Sequence, residues 1–398
     1  MIAPGAWLGL LGGGQLGRMF TMAAQSMGYK VVVLDPSSHG PAASVADDHI
    51  AADYLDTAAL EALARRCAAA TTEFENVPAG ALRFLAGHCV VSPSADSVAV
   101  AQDRIAEKAF LVAAGIDVAP YRALCREQDI DQVPASLLPG VLKRSRLGYD
   151  GKGQVRVRTL QEVRDAFVKF GGQPCVLEQL LPLELELSVM VARGFDGSVV
   201  SWPVAENQHA QGILDVSIVP ARIPSALAER ARSAAVAVAS RLDYHGVLCL
   251  ELFVLRDGRL LANEIAPRPH NSGHYTIDAC VTSQFEQQAR VLCGLPLGST
   301  ELHCPAVMVN LLGQLWASGE PRWEHVLRHR SAKLHLYGKA EARPGRKMGH
   351  FTLLAASTEA ALAVALQVKS LLLSEAQAGR LEARVHPGKQ ARGRHSPR

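Results

Sequence analysis

Glu251 and Glu264 carry the first chemical signal in the chain. The apolar runs Val247–Leu255 and Leu260–Ala266 flank Asp257-Gly258, a dipeptide that favours a tight hairpin because its backbone tolerates positive φ. A two-residue turn sets Arg256 opposite Arg259 and, further along both strands, Glu251 opposite Glu264. Their Cβ atoms then stand about 5 Å apart on one face. Carboxylates that close repel by roughly 3 kcal/mol at an effective dielectric of ~20. A divalent cation relieves the repulsion, because one or two carboxylates plus nucleotide phosphates are how proteins hold Mg²⁺. A shared proton, or a register slip that separates the pair, relieves it too.

Other groups look chemical by type and setting. Pro267, Arg268, Pro269, His270, Asn271, Ser272, Gly273 and His274 form a stiff polar segment leaving the strand of Glu264, a position where binding groups concentrate. Lys143 sits in an apolar strand, and a buried lysine requires an anion. It precedes Gly148-Tyr149-Asp150-Gly151-Lys152-Gly153-Gln154, whose glycines and lysine suit a loop that closes over phosphates; a solvated hairpin tip is the plainer alternative. Glu186 in the strand LELSVMVARG also needs a donor. His209, in Glu206-Asn207-Gln208-His209 between strands, reads as structural. Lys339, Arg343, Arg346 and Lys347 crowd one loop, as surface charge or, beside a phosphosugar, as a phosphate clamp. Near the N-terminus, Gly12-x-Gly14-x-x-Gly17 between two strands, followed by Asp35, places a helix N-terminus against an anion. A dinucleotide, another phosphorylated ligand or a purely structural turn satisfies it. Glu73 and Glu75 at a strand end either enter the cleft or cap the next helix.

The elements that must position these groups alternate between α and β. Trp7–Leu11, a helix to about Met27 and Lys30–Leu34 make a βαβ start. Helix Ala58–Ala69 and strand Ala70–Phe74 follow, and Ser94 opens one helix through Ala114, closed by Gly115 and Pro120. Strands are expected at 141–143, 155–157 and 176–181, through 199–219, and at 307–312, 333–336 and 351–355, with helices at 225–242, 282–293 and 358–375. The expected domains are 1–115, 116–192 and 193–385, with 386–398 a basic, disordered tail.

Composition narrows the class. The 398 residues are 48% hydrophobic and 20% charged, as in an ordinary globular chain with two or three domains. A net charge of +3 is too small to point to nucleic acid or a membrane surface. Eight cysteines without a Cys-x-x-Cys pair argue against zinc and disulfides and suit a reducing cytoplasm. No basic segment precedes the first apolar run, so no signal peptide is expected, and no apolar stretch reaches the ~18 residues of a membrane span.

Six motifs in order, GGGQLGRM, TTEFENVP, AQDR, GYDGKGQ, NEIAPRPHNSGH and RPGRKMGH, carry a specific likeness. Over nearly its whole length the chain resembles the ATP-grasp superfamily, and within it the ligases that carboxylate 5-aminoimidazole ribonucleotide. The resemblance implies an α/β (α+β) ATP-grasp fold with an N-terminal Rossmann-like (pre-ATP-grasp) domain, a small β-rich lid domain and a C-terminal antiparallel-sheet domain. It also implies residue roles. Arg104, Lys143, the lid Gly148–Gln154, Glu178, Gln179, Leu180, Leu181, Glu186, His209 and Asn263 would meet ATP. Glu251 and Glu264 would hold Mg²⁺, or Mn²⁺ in its place. Gln15, Leu16 and Glu75 would meet the phosphoribosyl substrate; Asp150, Lys339, Arg346 and Lys347 would bind it too. Arg268, His270 and Asn271 would hold bicarbonate. Ala266 departs from the superfamily, many of whose members place a metal-binding Asn there.

The implied reaction is phosphoryl transfer from ATP to bicarbonate, then carboxylation of the aminoimidazole amine, by a cytoplasmic homodimer that uses neither nucleic acid nor membrane. Three rivals remain at this stage: an NAD-dependent oxidoreductase with Asp35 on a ribose, a formate-using phosphoribosylglycinamide transformylase, and an inactive binding module.

Overall fold

The computed structural model describes residues 1–148 and 153–385. In chain order the first part comprises β1 (Trp7–Leu11), α1 (Gln15–Ser26), β2 (Lys30–Leu34), β3 (Asp48–Ile50), α2 (Thr57–Arg66), β4 (Ala69–Thr72), α3 (Ala79–Ala86), β5 (Val90–Val91), α4 (Ala95–Ala101) and α5 (Arg104–Ala113). Its five strands form a parallel sheet in the order β3-β2-β1-β4-β5. β2 is buried over Val31–Leu34, as expected of a strand with helices on both faces. α1 buries Leu16, Met19, Phe20 and Ala24, the spacing of one helical face, against this sheet. Strand order reverses between β1 and β4, so ligands are expected beyond the carboxyl ends of those two strands.

A four-stranded antiparallel sheet follows, from β6 (Tyr121–Leu124), β7 (Gly140–Arg144), β8 (Gln154–Val157) and β9 (Cys175–Gln179), with α6 (Leu160–Lys169) packed on it. Its order is β6-β9-β7-β8.

The third sheet has nine strands: β10 (Leu183–Arg193), β11 (Val199–Ser201), β12 (Ala205–Ala210), β13 (Ile213–Val219), β14 (Gly246–Leu255), β15 (Leu260–Ala266), β16 (Ala306–Leu312), β17 (Ala332–Leu336) and β18 (Lys347–Leu354). Among its helices, α7 (Ser225–Arg241) covers β10 and β14, and α8 (Thr276–Ala279) and α9 (Gln284–Leu292) lie toward the first sheet. Beyond α10 (Glu324–Leu327), α11 (Thr358–Val385) packs Ala361, Ala365, Val368 and Leu372 onto β16 and β18.

Several expected elements change. The helix from Ser94 to Ala114 is two helices, broken at Gln102-Asp103 because the Asp103 carboxylate caps α5, accepting from Ile105 N at 3.0 Å, and accepts from Ser145 Oγ at 2.6 Å. The Glu206–His209 segment is strand β12, not a loop between strands. Its Asn207 is satisfied by Ser188 and Ser217 on the strands either side, at 2.9 and 2.8 Å. Lys347–His350 belongs to β18 instead of the basic loop, and α11 runs ten residues beyond Glu375, to Val385. The lid residues Tyr149, Asp150, Gly151 and Lys152, and the tail 386–398, lie outside the described residues.

Candidate active site

The β14–β15 hairpin places its two glutamates by a route the sequence does not show. The turn is one residue longer than expected: Leu255 N donates to Arg259 O at 2.9 Å and Gly258 N to Leu255 O at 2.8 Å, leaving Arg256-Asp257-Gly258 as the loop with Gly258 at φ +82°. This shifts the register by one, so Leu252 pairs with Ala262. A bulge at Asn263 shifts it back, and Glu251 pairs with Glu264. The bulge also turns Asn263 to use. Its carbonyl accepts from Lys108 Nζ at 2.9 Å and its Oδ1 lies 3.4 Å from Lys143 Nζ.

Each carboxylate of the pair has its own cation. Arg104 Nη1 donates to Glu264 Oε2 at 2.6 Å, and His270 Nε2 to Glu251 Oε1 at 2.9 Å. Burial opposes the ionised form of Glu264, but Arg104 and Lys143 hold its pKa down at about 2. Burial likewise opposes charge on His270, yet the adjoining Cys249 sulfur and Glu251 carboxylate push it up to about 10. The site is therefore two carboxylates ringed by cations, a donor set of hard oxygens that fits a divalent ion.

Behind them, Lys143 donates to Glu178 Oε2 at 2.9 Å, and Lys108, fully buried, stands 3.4 Å from Glu178 Oε1. Burial pushes the Glu178 pKa up, and the two lysines more than reverse it. Glu107, one helix position before Lys108, accepts from Ile265 N at 2.5 Å; burial raises its pKa to about 8 despite Arg104. Across the cleft, His209 Nδ1 donates to Glu186 Oε2 at 3.0 Å; burial opposes charge on the imidazole, but Glu186 raises its pKa. Toward the first sheet, Arg268 Nε donates to Glu75 Oε2, and although burial works the other way, Arg268 holds the Glu75 pKa below its ordinary range. Asn271 Nδ2 donates to Asn310 Oδ1 at 3.0 Å and Asn310 Nδ2 to Asn271 Oδ1 at 2.7 Å.

Apart from Lys108 and Asn310, which stand behind the wall, these groups line one cleft of about 1110 Å³ among the three sheets. Of the residues expected in the site, Gln15, Leu16, Glu75, Arg104, Lys143, Gly148, Gln154, Glu178, Gln179, Leu180, Leu181, Glu186, His209, Glu251, Asn263, Glu264, Arg268, His270, Asn271 and Lys347 face it. Gly153, Lys339 and Arg346 do not line it. Lys339 Nζ donates to Lys347 O at 2.7 Å and Arg346 Nη1 to Glu341 O at 2.9 Å, which ties both to the loop beside it. Tyr149, Asp150, Gly151 and Lys152 are outside the described residues.

Glu107, Lys108 and Asn310 are the groups that the sequence reading left without a role, and Glu73, left there between the cleft and a helix cap, lines the cleft. The signal for two of them was present: Arg104, Glu107 and Lys108 share one face of α5 at helical spacing, with charge where an apolar stripe is expected. The reading of Asp35 as a ribose contact fails, because its Oδ2 accepts from Gly13 N at 2.8 Å and from Tyr54 OH at 2.6 Å.

Comparison with known proteins agrees with this geometry. Residues 109–285 match the ATP-grasp domain, 6–102 the ribonucleotide synthetase preATP-grasp domain and 306–364 the phosphoribosylaminoimidazole carboxylase C-terminal domain. Fold and cleft together define an ATP-grasp ligase. The N5-carboxyaminoimidazole ribonucleotide synthase of Brucella melitensis is 48% identical over 354 residues, 88% of this chain and 97% of that protein. The Bacillus subtilis enzyme of the same name is 44% identical over 355 residues, covering 89% and 93%. A crystal structure of an N5-carboxyaminoimidazole ribonucleotide synthetase with ADP superposes with a TM-score of 0.87 at 43% identity, covering 95% of this chain and 99% of that one. The Aspergillus clavatus synthase, in complex with ADP and 5-aminoimidazole ribonucleotide, gives 0.84 at 31% identity, covering 92% and 98%. The chain belongs to the N5-carboxyaminoimidazole ribonucleotide synthase family.

Proposed function

We propose that this cleft carries out the ATP-dependent carboxylation of 5-aminoimidazole ribonucleotide, a step of purine biosynthesis, by way of carboxyphosphate formed from ATP and bicarbonate. The observation that carries the reading is the opposed pair Glu251–Glu264, set among Arg104, Lys143 and His270 in one cleft with the Arg268–Glu75 pair. Lys143 and Arg104 lie where ATP phosphates require cations, Gln179–Leu181 supply backbone for an adenine edge, and Glu186 suits a ribose hydroxyl. Gly148, Gly153 and Gln154 flank the lid, whose Tyr149, Asp150, Gly151 and Lys152 are assigned from sequence alone.

Glu251 and Glu264 would hold a divalent ion, Mg²⁺ or Mn²⁺, which neutralises charge on the transferring phosphoryl group. Around it the chain's own residues do the rest. Arg268, His270 and Asn271 orient bicarbonate against the γ-phosphate, and the imidazolium of His270 balances the negative charge that develops there. Gln15, Leu16 and Glu75 seat the sugar of the acceptor, and Lys347 its phosphate, with Lys339 and Arg346 adding positive charge from the loop beside the cleft. The exocyclic amine then attacks the carboxyl carbon of carboxyphosphate, or CO₂ released from it. The new C–N bond forms as phosphate leaves and the amine gives up a proton. Exclusion of water matters because carboxyphosphate hydrolyses.

The three domains are proposed at 1–115, 116–192 and 193–385, and the working form as a cytoplasmic homodimer. Free thiols at all eight cysteines agree with a reducing compartment. Among the described residues no helix is long and apolar enough to cross a membrane. Size-exclusion chromatography with light scattering tests the dimer; a monomer at micromolar concentration contradicts it. Release of ADP that requires both bicarbonate and 5-aminoimidazole ribonucleotide tests the reaction, and formate- and glycinamide-dependent release would redirect it to the transformylase.

A further inference from the structure

Imidazoles and a carboxylate gather where α8 meets β17 and β18. The two strands run antiparallel with His335 directly opposite His350, and the two rings stack at 4.5 Å. Asp278 on α8 closes the group: His335 Nε2 donates to its Oδ2 at 2.8 Å. One ligating atom from each of Asp278, His335 and His350 lies within 4.8 Å of the other two. None of the three lines the cleft described above.

His350 has a polar atom left over. Its ring is fully buried; Nδ1 bonds to Tyr337 OH at 2.8 Å, and Nε2 has no hydrogen-bond partner among the described residues. A buried polar atom without a partner costs stability, so this nitrogen calls for a ligand. Burial, with the imidazoles of His274 and His335 nearby, pushes the His350 pKa well below its ordinary value, which leaves the ring a neutral base. When Nδ1–H donates to the Tyr337 oxygen, the lone pair stands on Nε2, and such an outer partner is what a metal-bound imidazole ordinarily has. His274 is tilted against His350 at 4.8 Å but offers no lone pair: Gln284 Nε2, which donates to His270 O, also donates to His274 Nδ1 at 3.3 Å, so the His274 proton is on Nε2.

We propose that Asp278, His335 and His350 form a metal site separate from the carboxylate pair, for a divalent transition ion of which Zn²⁺ is the best fit, with water as fourth ligand. The cysteine pattern speaks against a thiolate site and is silent on one built from imidazoles. Bonds of about 2.0–2.1 Å at tetrahedral angles set ligand atoms about 3.3 Å apart, so the group closes by at most about 1.5 Å on the ion. The His335 and Asp278 side chains are 27% and 10% exposed, which gives the ion a way in. On binding, the His335 Nε2 proton passes to Nδ1 or to water and frees the lone pair. The ion then braces α8 against β17 and β18, and this role does not depend on the carboxylation reading.

The test titrates chelator-treated wild type, Glu264→Gln, His335→Gln and Asp278→Asn with Zn²⁺ by calorimetry in excess Mg²⁺, with Co²⁺ as a visible-absorbing substitute. Wild type takes up an equivalent of Zn²⁺ that Glu264→Gln retains and that His335→Gln and Asp278→Asn weaken at least about tenfold. The four-coordinate Co²⁺ band falls in the same two variants, and Zn²⁺ raises the melting temperature of wild type but not of either. Circular dichroism checks folding; should Asp278→Asn fail it, His335→Gln, at the more exposed ligand, decides. Absence of any Zn²⁺ equivalent apart from one lost in Glu264→Gln overturns the proposal. So does an equivalent indifferent to His335→Gln, which marks adventitious binding elsewhere and leaves His335 and Asp278 an ordinary ion pair.

Discussion

Glu251 and Glu264 face one another across β14–β15, and each is held by a different cation, His270 at 2.9 Å and Arg104 at 2.6 Å. Repulsion between them is met by flanking positive charge, so the pair persists in the folded chain ahead of any ligand. A pair held in this way is preorganised: little rearrangement separates it from the arrangement that phosphoryl transfer requires.

Glu264→Gln tests that role. The amide keeps the shape and an acceptor for Arg104 but loses the charge. ADP formation falls by at least about 10²-fold, while circular dichroism and melting behaviour stay near wild type. Near-normal turnover in a purified, folded variant contradicts the assignment.

Arg268 and Glu75 form an ion pair between the ends of the cleft proposed to take the sugar and bicarbonate. Glu75→Gln should raise the KM for 5-aminoimidazole ribonucleotide about tenfold with a smaller change in kcat, because it would weaken the proposed contact with a sugar hydroxyl. Adding Arg268→Lys to it should cost less than the sum of the two single effects, since the residues touch. Additive losses in a double-mutant cycle would show them to be independent.

Lys108 is buried between Glu178 Oε1 and the Asn263 carbonyl. Lys108→Met leaves Glu178 with Lys143 as its remaining ion-pair partner among the described residues and frees the bulge that keeps Glu251 opposite Glu264. Removing one member of a buried charged group destabilises by about 3–5 kcal/mol. Urea unfolding should show that loss; a change under about 1 kcal/mol would mean that Lys108 is dispensable.

The pKa of Glu107 is about 8 in the folded protein against an ordinary 4.5, because burial disfavours its charge. The folded state keeps a proton that the unfolded chain gives up between those values. Its effect is to lower stability as pH rises from about 4.5 through about 8. Glu107→Gln retains an acceptor for Ile265 N and removes the titration. The variant should lose less melting temperature across that window than wild type, and parallel curves would refute the assignment. His270 acts in the same direction through a charged group: raised to about 10, it stays an imidazolium at neutral pH, and its contribution to stability is lost as pH rises from about 6.5 through about 10.

The opposition of Glu251 and Glu264 was legible from the Asp257-Gly258 signal, but for an incomplete reason. The expected two-residue turn is a three-residue turn, and the bulge at Asn263 cancels the resulting slip. Local turn preference sees Gly258; it does not see Lys108 and Lys143, which hold the bulge from 155 and 120 residues away. The same blindness to distance explains Asp103. Inside a periodic helical run it looks like a tolerated polar residue, until Ser145, just past the end of β7, reaches it. Lys143 was easier, because a lysine in an apolar strand demands an anion, and Glu178 is that anion. The glycine motif announced an anion but not its source; the group that accepts from Gly14 N and Gly17 N is Glu73, from the end of a separate strand.

The most direct measurement of the central claim is ADP release by the purified protein supplied with ATP and Mg²⁺, with and without bicarbonate and 5-aminoimidazole ribonucleotide. The account predicts one ADP for each carboxylated ribonucleotide, formed only when both are present at appreciable rate. ADP release indifferent to both, or driven by formate and a glycinamide nucleotide, would contradict it.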